Sequence, residues 1–206
     1  SLSNTGKYDG MIIKCSAEGE CEWAKGIGGS SSDQINSVAE TSDGGIIAGG
    51  SFASSIDLGN GENLSNKGSF DGMVIKYNST GECEWAKGIG GSFEDGITSV
   101  AECSDGGIIA GGYFWSRSID LGNGVSISNK GSTDFSDGMI IKYTAEGECE
   151  WAKGIGESSY DRIYSVAETS DGGIIAGGYF ESSSIDLGNG VSLTNKGNKD
   201  GIIIKY

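Results

Sequence analysis

The chain has 206 residues, with 38 Gly, no Pro, no His and a formal charge of −15 from 29 acidic against 14 basic residues. So acidic a surface repels phosphate backbones and anionic lipid, which sets aside nucleic-acid binding and membrane-surface attachment. No apolar run approaches the 18 or so residues of a spanning helix, so membrane insertion is not expected either.

Read from the start, the chain opens at Ser1 without an initiator Met or a basic, apolar leader, the expected look of a processed chain or a piece of a longer one. From residue 9 it is three near-identical units, at 9–70, 71–136 and 137–199, followed by a partial fourth at 200–206. Each unit runs DGM-I/V-IKY/C, a polar turn, GECEWAKGIG, a variable loop, SVAE, SDGG, IIAGG, then SIDLGNG and an NKG tail. Periodicity for helix is absent, because Gly interrupts every candidate stretch.

Short β-branched runs such as Ile12-Ile13, Val74-Ile75 and Ile174-Ile175, bounded by Gly, Asp, Asn and Ser, predict strands. The turns at Glu18-Gly19, Thr80-Gly81 and Glu146-Gly147 join the first two strands of each unit. The SDGG turns at 42–45, 104–107 and 170–173 join the next two, since Asp and Gly tolerate the backbone of a tight hairpin. Four antiparallel strands per unit form a twisted sheet whose faces need neighbours.

The ordered string D-G-M-I-I-K-Y, E-C-E-W, G-I-G-G, S-V-A-E, S-D-G-G-I-I-A-G-G resembles a bacterial β-propeller repeat family of secreted and surface proteins. That resemblance implies an all-β, propeller-like array of four-stranded antiparallel blades, with SVAE innermost and CEWAKGIG outermost, in an extracellular or cell-surface protein. Its blades would be 35–91, 97–156 and 163–206. The last lacks an outer strand, which 9–29 of the same or another chain would supply. The SIDLGNG and NKG segment lengthens the unit and is expected to add a strand or hairpin at a blade rim. A β-trefoil is the alternative three-repeat fold, although its units are shorter.

Three blades are fewer than a propeller ring normally uses. Because Asp9–Cys15 and Asp200–Tyr206 are copies of one strand, the chain is expected to assemble with itself into a ring or filament. Asp9, Met11, Ile13, Asp200, Ile202, Ile204 and Tyr206 are the expected assembly residues. A glycan or surface protein is the alternative partner, bound by a ligand-recognising propeller module through loops around Phe93, Trp115 and Tyr160. Trp23, Trp85 and Trp151 repeat at one strand position and are expected to anchor blades against each other. Trp115, where the other units carry Ala53 and Glu181, follows Tyr113 and Phe114, and these three are the candidate ligand contacts.

Neither an enzyme nor a cofactor is expected, because no His is present and the paired acids Glu20 and Glu22 alternate along a strand like its solvated face. A faint similarity to quinone-cofactor dehydrogenase propellers brings no cofactor site with it. Asp57, Asp120 and Asp186 offer oxygen donors that would suit calcium, but the D-x-G spacing reads better as an Asx turn. Five cysteines at 15, 21, 83, 103 and 149 match no metal motif; Cys15 and Cys21 lie on opposite arms of one hairpin and are the candidate disulfide. Asn63 and Asn78 stand in glycosylation acceptor triplets.

Overall fold

The computed structural model describes residues 2–206, and no helix occurs among them. The chain is an all-β, propeller-like array. At its start, β1 (Gly10–Cys15) and β2 (Cys21–Ile27) form a two-stranded sheet. Two full blades follow. The first orders β3 (Asp33–Glu40), β4 (Ile46–Phe52), β7 (Asp71–Tyr77) and β8 (Cys83–Ile89) from inside to outside. The second repeats it with β9 (Asp95–Glu102), β10 (Ile108–Phe114), β13 (Asp137–Tyr143) and β14 (Cys149–Ile155). A three-stranded sheet closes the array: β15 (Asp161–Glu168), β16 (Ile174–Phe180) and β19 (Asp200–Lys205). These meandering sheets differ from the hairpin triplets of a trefoil.

The SIDLGNG segments form rim hairpins: β5 (Ile56–Gly59) with β6 (Glu62–Leu64), β11 (Ser118–Asp120) with β12 (Ser126–Ser128), and β17 (Ser184–Gly188) with β18 (Val191–Thr194). Each turn needs three successive left-handed residues, which Gly59-Asn60-Gly61 and its repeats supply, with Asn at φ 51, 54 and 53°. At the same turns, Asp57, Asp120 and Asp186 each accept a hydrogen bond from the glycine NH two residues on, at 2.9, 2.9 and 2.8 Å, which is an Asx turn. They sit on three separate hairpins.

The core lies between sheets, with one cluster per joint. Position in the array therefore decides burial. Every residue of β7 and β13 is buried, whereas β1 and β19 alternate between buried and exposed. On β1, Met11 and Ile13 face out, at 62% and 49% exposed, while Ile12 is buried. On β19 the outward residue is Ile203, 82% exposed, whereas Ile202 and Ile204 are buried. Ile202 and Ile204, named above among the residues of the expected assembly strand, thus face inward within the chain. Three consecutive isoleucines carry no alternation from which a face can be read.

Candidate functional site

The parts that recur at each joint are a set of clips between neighbouring blades, and they make the blade-to-blade interface the chain's best-defined site. A tryptophan opens the set. Trp23 stands 6.3 Å, ring to ring, from Tyr77 and donates its Nε1 hydrogen to the Ser79 carbonyl at 3.2 Å. Trp85 repeats this with Tyr143 at 6.2 Å and the Ala145 carbonyl at 2.9 Å. Trp151 packs in the same cluster as Tyr206. Gly147, in the turn opposite Trp85, has φ of +81°, and a Cβ there would lie 2.7 Å from the indole, so both conformation and space demand glycine. Replacing Trp85 by Ala is expected to cost about 3–5 kcal/mol in urea unfolding, since it removes a buried anchor and leaves a cavity.

The inner strands supply the second clip. A bulge in β3, β9 and β15 follows Ile35, Ile97 and Ile163 respectively. Asn36, in the first bulge, donates to the Ile97 carbonyl at 2.9 Å, and the Thr98 hydroxyl to the Ile163 carbonyl at 2.7 Å. Ser37 and Ser99 accept from the amides of Val100 and Val166, at 3.1 and 3.2 Å. The side chains of Ile97 and Val100 lie over Gly49, where a Cβ would be 2.7 Å from each. Ile163 and Val166 cover Gly111 in the same way. A third clip joins the SDGG turn to the next blade: Ser42 donates its amide and hydroxyl to Glu102 at 2.7 and 3.0 Å, and Ser104 donates to Glu168 at 2.7 and 3.1 Å.

Lysines lock each blade from within. Lys76 Nζ lies 2.7 Å from Asp43 and 2.8 Å from Glu84, spanning the inner turn and the outer strand. Burial disfavours its charge, but these two carboxylates outweigh burial and hold its pKa above the ordinary value. Lys142 bonds Asp105 at 2.7 Å, and Lys205 bonds Asp171 at 2.6 Å.

Sequence reading missed a pair of buried aspartates at each joint. Asp95 is saturated: its carboxylate accepts from the amides of Gly91, Trp115 and Ser116 and from the Ser116 hydroxyl at 2.6 Å. Its neighbour Asp71 accepts from the Lys67 amide at 2.7 Å, while its buried Oδ1 has no partner. Asp161 and Asp137 repeat the arrangement, with Asp137 Oδ1 again unpartnered. A Cβ on Gly156 would lie 2.4 Å from Asp137 Oδ1 and 2.7 Å from Asp161 Oδ2, so both carboxylates crowd one glycine. Burial first, with the neighbouring aspartate adding to it, pushes Asp71 up to about 6 and Asp137 up to about 7. The pairs had a signal in the sequence: Asp9 and Asp33, Asp71 and Asp95, and Asp137 and Asp161 are each 24 residues apart.

The candidate ligand contacts do not form one surface. Phe114 is fully buried in the core and out of a ligand's reach, because it faces inward at the end of β10. Tyr113 is half-buried, donates to Glu94 at 3.0 Å and carries the Arg162 guanidinium 4.0 Å over its ring. Trp115 is half-buried and stacks 5.7 Å from Tyr160, which meets Phe135 edge-on at 5.0 Å. Phe93 is exposed. Cys15 and Cys21 are opposed in register across β1 and β2 and are free, exposed thiols; Cys83, Cys103 and Cys149 are buried. Among the described residues no group of three or more His, Cys, Asp or Glu is placed to hold a metal ion.

No protein-family profile matches the chain. It is similar, at 26% identity across 70% of its length, to an uncharacterized WD repeat-containing protein of Acanthamoeba polyphaga mimivirus. It is also similar, at 26% identity across 68% of its length, to the regulatory protein FlaEY of Caulobacter vibrioides. The chain spans only 11% and 14% of these two relatives. A solved protein of unknown function from Bacteroides caccae overlays 95% of this chain and 72% of its own at TM-score 0.32 and 11% identity. A β-propeller type of repeat fits both the WD relative and the four-stranded blades.

Proposed function

We propose that this chain is a non-enzymatic interaction protein, secreted or displayed on a microbial surface like the repeats it resembles, which assembles with itself through its end blades. One observation carries this reading: the first sheet and the last present complementary faces of the interior joint. The first sheet, β1 and β2, is the outer half of a blade, and the last, β15, β16 and β19, is a blade without its outer strand. Each exposes the apolar residues that interior blades bury against a neighbour. A further unit of the same repeat fits both ends, and a second copy of the chain supplies it, as a ring if the rotation closes and as a filament if it does not. Multi-angle light scattering across a concentration series tests this. A mass rising above that of one chain is expected, and a single-chain mass throughout overturns the reading.

A second reading has its own support. The cluster joins Trp115 and Phe135 of the second unit to Tyr160 of the third, and Trp115 Nε1 is buried without an acceptor. A ligand-binding loop there would take a glycan or protein segment offering an acceptor. On this reading Trp115→Ala abolishes glycan-array binding and leaves the mass distribution unchanged.

A further inference from the structure

We propose that assembly proceeds by strand exchange: β19 of one copy replaces β1 of the next beside its β2, and β1 is expelled. This rests on the self-assembly reading above and names the surfaces and the slot it uses.

Head and tail carry the two halves of the interior joint. At the tail, Gly177 meets nothing closer than the Ile202 carbonyl oxygen at 3.8 Å, although its repeats Gly49 and Gly111 are covered by an Ile and a Val of the next blade. The matching Val38 at the head is 55% exposed, whereas Val100 and Val166 are buried. Ser170 at the tail corresponds to Ser42 and Ser104, and Glu40 at the head to Glu102 and Glu168, the partners of the serine–glutamate clip. Among the described residues neither makes that bond. A groove of about 260 Å³ at the head is lined by Ile13, Cys15, Val38, Glu40 and Ile46. It is the seat that interior blades fill with the preceding sheet.

Continuing the joint in register brings two strands into one place. Beside β3, β1 stands as β7 stands beside β9: a Cβ on Gly10 would lie 2.9 Å from Ile35 Cγ1, against 3.2 Å from Gly72 to Ile97 Cγ1. Along β16, β19 pairs as β13 does along β10, Gly178 opposite Ile202 as Gly112 is opposite Met139. A second copy seated on the head therefore lays its β19 where β1 lies.

Packing decides which strand leaves. β19 holds Ile202 and Ile204 buried and ends on Tyr206, which packs with Trp151 and lies 5.0 Å beneath Lys153 Nζ. β1 leaves Met11 and Ile13 exposed and ends on Cys15, which has no ring to set against a tryptophan. With β19 in the slot, hydrogen bonds between β1 and β2 are exchanged one for one for those between β19 and β2, and Ile203 becomes buried. Lys205 keeps Asp171 and gains Glu22, completing the Asp–Lys–Glu bridge seen at Asp43, Lys76 and Glu84.

Hydrogen–deuterium exchange on the full chain below and above its association concentration reads the exchange directly. Residues 10–15 should lose protection on assembly and residues 200–205 should gain it. Deleting residues 2–15 removes a tethered competitor and should lower the association concentration by about tenfold or more. A chain that stays single at every concentration removes the self-assembly reading and the exchange with it. A chain that assembles while 10–15 remain protected, or that assembles less well without residues 2–15, overturns the exchange and leaves self-assembly standing. Should the truncated chain not fold, oxidising the intact chain with oxidised glutathione to bridge Cys15 and Cys21 pins β1 to β2. Assembly should then stop and return on adding dithiothreitol, and undiminished assembly of the bridged chain overturns the proposal.

Discussion

Thermal and urea unfolding should show this chain to be more stable near pH 5 than near pH 8. Asp71 and Asp137 have folded pKa values of about 6 and about 7, above the ordinary 3.8. A raised carboxyl pKa means the folded state binds protons that the unfolded chain has already released. Stability from this source is therefore complete below about pH 4 and falls as pH rises through 6 and 7. At about 1.4 kcal/mol per unit, the two groups together lose on the order of 4 kcal/mol between pH 5 and pH 8. The opposite sign belongs to Asp43, Asp105 and Asp171, whose lysine partners hold them below the usual carboxylate range. Their contribution is lost only as pH falls below about 4, so the optimum lies between the two windows. Substituting Asp137→Asn keeps the shape of the side chain and removes its buried charge. Stability at pH 8 should rise by about 1–2 kcal/mol and the pH slope should flatten, because position 137 then forms no buried charge as pH rises. An unchanged slope in the Asn variant would assign the pH dependence to the net charge of −15 instead.

Gly111→Ala should destabilise the chain, while Gly177→Ala at the same repeat position should leave folding nearly untouched. A Cβ on Gly111 would stand 2.6 Å from Val166 Cγ1 and 2.9 Å from Ile163 Cγ2, against the two side chains that seal the joint between the second and third blades. Overpacking there forces the sheets apart and should cost about 1–3 kcal/mol. On Gly177 the nearest atom is 3.8 Å away. The same substitution at Gly177 should weaken self-association, because in the proposed assembly this glycine would receive Ile35 and Val38 of the next copy. Denaturation midpoints for the two variants, set beside their light-scattering masses, separate the effects. Equal loss of stability at both positions would contradict the assignment of Gly177 to an open seat.

Much of the architecture was legible in the chain. Gly, Asp and Asn at the turns fix hairpins through backbone conformation alone, which is local information. The recurring Trp has the size and spacing of an inter-sheet anchor, and Trp85 lies buried 6.2 Å, ring to ring, from Tyr143. What stayed hidden depends on tertiary position. Asp71 and Asp137 look like ordinary turn residues before Gly, and nothing local shows that a second carboxylate 24 residues on returns to meet them. Ile202-Ile203-Ile204 gives no alternation, so its outward face emerges only once β16 sets the register. Phe114 adjoins Trp115 in sequence, but a strand sends neighbours to opposite faces, and Phe114 went to the core.

The serine–glutamate clip, the bulge contacts and the glycine seat are each made between one blade and the next. Length is thus a free variable of this architecture. Duplicating a unit brings every contact it needs, losing one leaves the rest intact, and blade number can drift from lineage to lineage without any joint being rewritten.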